Sequence, residues 1–214
     1  MSTDYHDWLW QRRAADCIKA LEKNEFSAHE VTDIAAARDL LLELSAGHAT
    51  YGVGGSDTVR RLGLIDVLHT QGKTLYDHWQ SDLSPAVDLE LRLEQGRCDC
   101  FFCSANAIST SGEIVNVDGI GNRTNAMTFG PRKVFIVAGM NKVTTSLEAA
   151  LKRVREVAAP MRAKSLDRQT PCAKTGICQD CNSPQRICRV TTILHRKPLL
   201  TDITVVLVHQ QLGF

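Results

Sequence analysis

Apolar positions along this chain follow two periods, and the change from one to the other marks out the elements. Trp8, Ala15, Ile18 and Leu21 recur at helical spacing and predict a helix over residues 4–23. Ser27, followed three residues later by Glu30, makes a capping-box pattern. Ile34, Ala37, Leu41 and Leu44 fall near one face, so a second helix is expected from Ser27 to about Leu44. "TYGVGG" reads as a short buried strand entering a glycine loop, and "SDTVRRLGLIDVL" as a helix capped by Ser56 or Asp57. "GKTLYDHW" reads as a strand and its exit loop. "SPAVDLELRLEQG" is the clearest helix, with Ser84 as cap, Pro85 at the first helical position and Gly96 at the end.

Beyond it, "CDCFFCSANAIS" reads as a buried strand running into a loop, "GEIVNVDG" as an alternating strand and "GNRTNAMTFG" as a short helix. "KVFIVAGM" is continuously apolar, as a strand covered on both faces must be. Thr145 with Glu148 is a second capping box, opening a helix to about Met161. "VTTILHRKP" and "DITVVLVHQ" then predict two terminal strands. Strands thus alternate with helices from 50 to 160. That alternation predicts an α/β, Rossmann-like domain with a mostly parallel sheet covered by helices. One domain spans 1–214, with a helical N-terminal extension over 1–48, a cysteine-rich loop over 170–189 and the last two strands as additions.

Composition narrows the function classes. With 43% apolar and 23% charged residues the chain is of globular type. A net charge of +1 sets up no field that would draw it to nucleic acid or an anionic membrane. No basic stripe is interleaved with aromatics either, so nucleic acid is not an expected partner. No apolar run approaches the roughly 18 residues of a membrane span. The stretch "MSTDYHDWLWQRRAADC" has no apolar core of signal-peptide type, so a cytoplasmic location is expected. In that reducing compartment, eight cysteines read as metal ligands, redox groups or buried thiols rather than disulfides. Assembly into a homo-oligomer is compatible with the sequence.

In an open α/β sheet the ligand site lies beyond the carboxyl ends of the strands. Three polar loops are predicted there. Gly54, Gly55 and Ser56 have the features of an anion cradle, since adjacent glycines let backbone approach a ligand and a helix N-terminus follows. Asp57 works against a phosphate, and a tight turn with a capped helix is the alternative. The second loop, Asn116, Asp118, Gly119, Asn122 and Arg123, gathers fixed polar groups beyond the needs of a plain turn. There Asp118 is a candidate general base or metal ligand and Arg123 a carboxylate or phosphate clamp. The alternative is a turn at Asp118–Gly119 with Arg123 paired to a neighbouring acid. Lys142 follows the most apolar strand, where a partly desolvated amine can bind an anion or do acid–base work; the alternative is a solvated surface lysine. Asp66, His69, His78 and Glu113 carry weaker signals.

Cys172, Cys178, Cys181 and Cys188 are spaced C-x5-C-x2-C-x6-C. A C-x-x-C pair can place two sulfurs on one ion, and two outer cysteines complete a tetrahedral set suited to Zn²⁺ or an iron–sulfur cluster. Lys174, Arg186 and Arg189 would offset the thiolate charge. Free thiols are the alternative. Cys98, Cys100 and Cys103 lie on or beside a strand and point to both of its faces, so buried packing accounts for them, as it does for Cys17.

Three stretches, "YGVGGSDTVRRLGLID", "CDCFFCSANAISTSGEIVNVDGIGNRTNAMTFGPRKVFIVAGMNK" and "TPCAKTGICQDCNSPQRIC", together resemble the LUD-domain family of lactate-utilisation proteins, in its short, cysteine-containing branch. The resemblance covers roughly residues 28–210. It implies a fold similar to ribose-5-phosphate isomerase, glucosamine-6-phosphate deaminase and the CoA transferases. In those folds the glycine loop after the first strand binds phosphate or CoA, the place taken here by Gly54, Gly55 and Ser56. No residue here matches the acidic nucleophile of the CoA transferases. The resemblance also implies a component of L-lactate oxidation to pyruvate, working beside iron–sulfur and flavin partner proteins.

Two functions are therefore expected. In the first, the protein binds a small anionic or nucleotide-like metabolite at the carboxyl edge of the sheet, its own reaction being left open. In the second, it is a non-catalytic redox adaptor carrying metal on the cysteine loop.

Overall fold

The computed structural model describes residues 5–214; residues 1–4, including the first residue of the expected N-terminal helix, lie outside the described residues. The chain runs through α1 (Tyr5–Lys23), β1 (Ser27–Val31), α2 (Ile34–Leu44), β2 (Thr50–Val53), α3 (Asp57–Arg61), α4 (Leu64–Thr70), β3 (Thr74–Asp77) and α5 (Pro85–Gln95). It continues through β4 (Cys100–Cys103), β5 (Ala107–Ser109), β6 (Ile114–Asp118), α6 (Asn122–Thr128), β7 (Lys133–Gly139) and β8 (Val143–Thr144). The last elements are α7 (Leu147–Arg153), α8 (Ala159–Ser165), α9 (Pro171–Thr175), β9 (Val190–Leu194) and β10 (Asp202–Val208). A π-helical turn over Val154–Ala158 fuses α7 to α8. Among the described residues no helix is long and apolar enough to cross a membrane.

The main sheet has six strands in the order β1-β10-β7-β4-β2-β3, every neighbouring pair parallel. Strand β4 shows why both faces are covered. Cys100 and Phe102 point to one core, where Phe102 stacks on Tyr51 and Phe135 with ring centroids 6.0 and 5.2 Å apart. Phe101 and Cys103 point to the other, against α1, α6 and a second sheet. Each fully buried phenylalanine is worth about 1.5–3 kcal/mol of transfer free energy, so the "CFFC" run locks the sheet between two layers. Cys17, Cys98, Cys100 and Cys103 are all buried, and desolvation pushes each thiol up to about 12, which keeps them protonated packing groups.

Five expectations need correction. Residues 27–31 form a strand rather than the start of a helix, pairing β1 with β10 in parallel register from Ser27↔Thr204 to Val31↔Val208. The helix begins only at Ile34. Asp33 accepts hydrogen bonds from the Ala35 and Ala36 N–H groups, both at 2.9 Å, and so outcompetes the Ser27–Glu30 box. The N-terminal extension is accordingly not purely helical, since it supplies an edge strand. The last strand is no addition either: β10 lies inside the sheet between β1 and β7. The single helix expected after Gly55 splits at Gly63, whose φ of +68° ends α3 and caps α4.

Ser146, not Thr145, caps α7, accepting from the Ala149 N–H. The alternation also hid a second sheet, in the order β8-β5-β6-β9, which seats the β6 loop and the cysteine-rich loop beside the main site.

Candidate functional site

The order of the main sheet contains a topological switch point. From β2 the chain steps outward to β3, then returns across β2 to β4 and proceeds the other way to β7 and β10. Loops leaving β2 and β4 therefore diverge and open a crevice at the carboxyl ends of the strands. A cleft of about 330 Å³ occupies that place.

Lys142 is the centre of it. It sits on the 3-10 turn Met140–Lys142 directly after β7, and only 4% of it is exposed. Its Nζ lies 3.1 Å from Thr58 Oγ1 and 2.8 Å from Ser104 Oγ, so side chains from the exits of β2, β4 and β7 meet at one amine. Among the described residues no carboxylate stands within ion-pair distance of it. Burial lowers its pKa to about 7, with Arg153 and Arg123 adding to the fall while Asp57 and Cys103 oppose it. The buried placement excludes the solvated-lysine alternative. Gly213, at φ +61°, passes so close that a Cβ there would lie 2.6 Å from Thr58 Oγ1 and 3.3 Å from Lys142 Nζ.

The glycine loop contributes less than its composition suggested. Gly55 and Ser56 line the cleft, but Gly54 does not. A Cβ on Gly54 would meet Phe101 at 3.2 Å, and one on Gly55 would meet the Trp79 indole nitrogen at 3.0 Å. Internal packing thus accounts for both glycines. Ser56 caps α3 through Val59 N–H.

The second loop is self-satisfied. Asp118 Oδ1 accepts from Arg123 Nη2 and Nε at 2.6 and 2.9 Å, while Oδ2 accepts from the Thr124 N–H at 2.9 Å. The same guanidinium donates to the carbonyls of Ser104 and Val117 and to Asn106 Oδ1. Arg123 is therefore a strut joining the exits of β4 and β6, the ion-paired alternative of the sequence reading, and not a free clamp. Asn116 is buried away from the cleft, accepting from Asn106 N–H and contacting Met127 Sδ. Asn122 lines the cleft, and its amide nitrogen donates to Gln95 Oε1. Gly119 has no room for a side chain because Ile187 of the cysteine loop crosses it, with a carbonyl 3.2 Å from a Cβ.

Several site residues escaped the sequence reading. Thr58 and Ser104 hold Lys142. Trp79 walls the cleft, with the guanidinium carbons of Arg60 and Arg162 standing 4.4 and 4.6 Å from its ring centroid. Arg162 reaches Asp57 only at 4.0 Å and donates one long hydrogen bond, 3.4 Å, to Ser165 Oγ, and Arg168 makes no side-chain hydrogen bond or ion pair with the described residues, so both guanidiniums keep N–H groups for a ligand. His78 also lines the cleft. Gln95 Nε2 stands 2.8 Å from its Nδ1, and burial, helped by Arg92, lowers its pKa to about 4, so the ring is neutral at pH 7. The π-helical turn brings Val154 and Ala158 to the rim. Among these positions His78 carried a weak signal in sequence, and the polar exit of "CDCFFCS" and the capped turn at Ser56 carried a trace of Ser104 and Thr58.

The cysteine loop does not form a ligand set. Among the described residues no group of three or more His, Cys, Asp or Glu side chains is placed to hold a metal ion. Cys188 faces the main cleft, whereas Cys178 opens on a separate cavity beside Arg155 and Glu156. Arg186 instead ties the loop to itself, donating to the carbonyls of Cys181 and Cys188 and pairing with Asp180. The donors as arranged do not fit one ion or cluster.

A family model described as the LUD domain matches residues 14–208. Among solved structures, a DUF162 family protein from Deinococcus radiodurans is similar, with a TM-score of 0.53 and 13% identity over 94% of this chain and 98% of that one. At that identity the likeness speaks to the fold alone. No curated protein matches the chain.

Proposed function

On the premise that the chain belongs to the LUD domain family, associated with lactate utilisation in general, we propose that it serves that process by holding a small anionic metabolite in the cleft around Lys142. One observation carries this reading. A buried amine without an acidic partner among the described residues stands where the exits of β2, β4 and β7 meet, beside the guanidiniums of Arg162 and Arg168. Burying a cation unpaired is costly, so an anion that reaches Nζ relieves the cost and gains charge-assisted hydrogen bonds. The volume of about 330 Å³ is at the small end of ligand pockets and favours a small carboxylate or phosphate over a nucleotide.

Calorimetric titration with L-lactate, pyruvate and inorganic phosphate at low ionic strength tests the reading. At least one of them should bind, and the double variant Arg162→Gln/Arg168→Gln should bind it at least about tenfold more weakly, the worth of one charge-assisted bond. Absence of binding to all three, or equal affinity in the double variant, rejects it.

A further inference from the structure

We propose that Ser104 and Lys142 are a nucleophile and general base pair, and that the cleft transfers acyl groups from esters or thioesters of small, negatively charged carboxylic acids. The inference rests on the reading of the cleft as a ligand site and gives that site a reaction. Three features of the geometry point to it.

The first is the contact itself. Ser104 Oγ lies 2.8 Å from Lys142 Nζ, both groups are buried, and both line the cleft. A hydroxyl nucleophile is weak until a base within hydrogen-bond reach takes its proton, and serine–lysine pairs are one way of supplying that base. The second is the state of the amine. With no carboxylate of the described residues at ion-pair distance, and with burial disfavouring charge, Nζ keeps a lone pair near neutral pH. In the neutral form an N–H donates to Thr58 Oγ1, 3.1 Å away, while the lone pair accepts the Ser104 proton. The third is rigidity. Arg123, itself fixed by Asp118, donates to the Ser104 carbonyl at 3.2 Å and holds the nucleophile's backbone in place. Arg162 and Arg168 stand on the open side, where an anionic group of the acyl donor would seat.

The step balances without an oxidant or reductant. As the Oγ–C bond forms, the Ser104 proton passes to Nζ. The tetrahedral intermediate then collapses, its bond to the leaving oxygen or sulfur breaks, and Nζ returns the proton to that atom. Water, deprotonated by the same amine, releases the acyl group and regenerates the hydroxyl.

The full chain is incubated with a small alkyl fluorophosphonate between pH 6 and pH 9, and the adduct is located by peptide mass spectrometry. Attack by Oγ expels fluoride and leaves a stable phosphonyl ester. Modification is expected at Ser104, with a rate that rises through a midpoint near pH 7, the value to which burial lowers Nζ, with Arg153 of α7 and Arg123 of α6 adding to the fall and Asp57 of α3 and Cys103 of β4 opposing it. Lys142→Arg keeps a cation but no available lone pair and should slow labelling at least about 100-fold, the lower range for a general base. Ser104→Ala should abolish it.

A folded wild-type protein that is not modified at Ser104, a rate independent of pH, or wild-type labelling in the Lys142→Arg variant overturns the inference. Should the variant fail to fold, the wild-type pH profile decides alone. Anion binding without labelling removes this inference and leaves the ligand site standing. Labelling without anion binding supports the pair and removes the site's proposed guest.

Discussion

Lys142→Met separates the electrostatic cost of the site from its packing. In the unfolded chain this amine titrates at its ordinary 10.5, whereas in the fold burial brings it to about 7. At about 1.4 kcal/mol per unit that difference has a ceiling of about 5 kcal/mol, of which about 4 kcal/mol is felt at pH 7. Methionine fills a similar volume without the charge but forfeits the bonds to Thr58 and Ser104, each worth about 1 kcal/mol. The variant should therefore be about 2 kcal/mol more stable at pH 7. Between about pH 7 and 10.5 the unfolded wild-type chain binds more protons than the folded one, so this contribution to wild-type stability rises with pH across the window and is lost as pH falls towards 7.

Urea denaturation of both proteins at pH 7 and pH 9 reads the effect as a difference, which should shrink by about 2 kcal/mol between the two conditions. The four buried thiols act with the opposite sign. Their folded pKa values are raised from 9.0 to about 12, so the stability they contribute is full below pH 9 and lost above it. Cys17, Cys98 and Cys100 cancel in the comparison, whereas Cys103 feels the Lys142 charge and loses that help in the variant, which matters only above pH 9. Parallel pH profiles for wild type and variant would refute the claim that Lys142 is held near neutrality by burial.

Three further outcomes follow from the same geometry. Arg123→Ala leaves Asp118, whose side chain is 9% exposed, without its cation and should cost about 3–5 kcal/mol in chemical denaturation; a loss under about 1 kcal/mol would mean that the pair is not the strut described. Gly55→Ala puts a methyl group 3.0 Å from the Trp79 indole nitrogen and should cost about 1–3 kcal/mol by overpacking, read from thermal unfolding. Metal and sulfide quantitation after purification without oxygen should give well under one equivalent per chain, because Cys178 and Cys188 open on different cavities; a stoichiometric metal would show that the loop closes on it.

What was legible in the sequence was what local chemistry decides. Ser84, Pro85 and Gly96 bound α5 where their cap geometries require, and the apolar run Lys133–Gly139 could only be a strand covered on both faces. Edge strand β1 was hidden because its pattern is polar and its pairing partner lies far along the chain at Thr204–Val208. The second sheet was hidden because β5 and β8 are three and two residues long, too short to show a period. At the site, the loops that follow strands could be placed from the alternation of elements alone, and the cleft does gather Gly55, Ser56, Asp118, Gly119, Asn122, Arg123 and Lys142. Which of them are free was not legible. Asp118 and Arg123 look reactive in sequence and are consumed by each other, while Ser104 and Thr58 look ordinary and acquire meaning only by meeting a lysine 38 and 84 residues away.

Carbon-13 labelling of the lysine side chains, with Lys142→Met to assign the resonance, allows the Lys142 amine to be titrated with and without pyruvate or L-lactate. A midpoint near pH 7 in the free protein that moves upward when the anion is added is the result expected of a buried amine poised for a negatively charged guest. A midpoint near 10.5 in the free protein, or one that no anion moves, would contradict it.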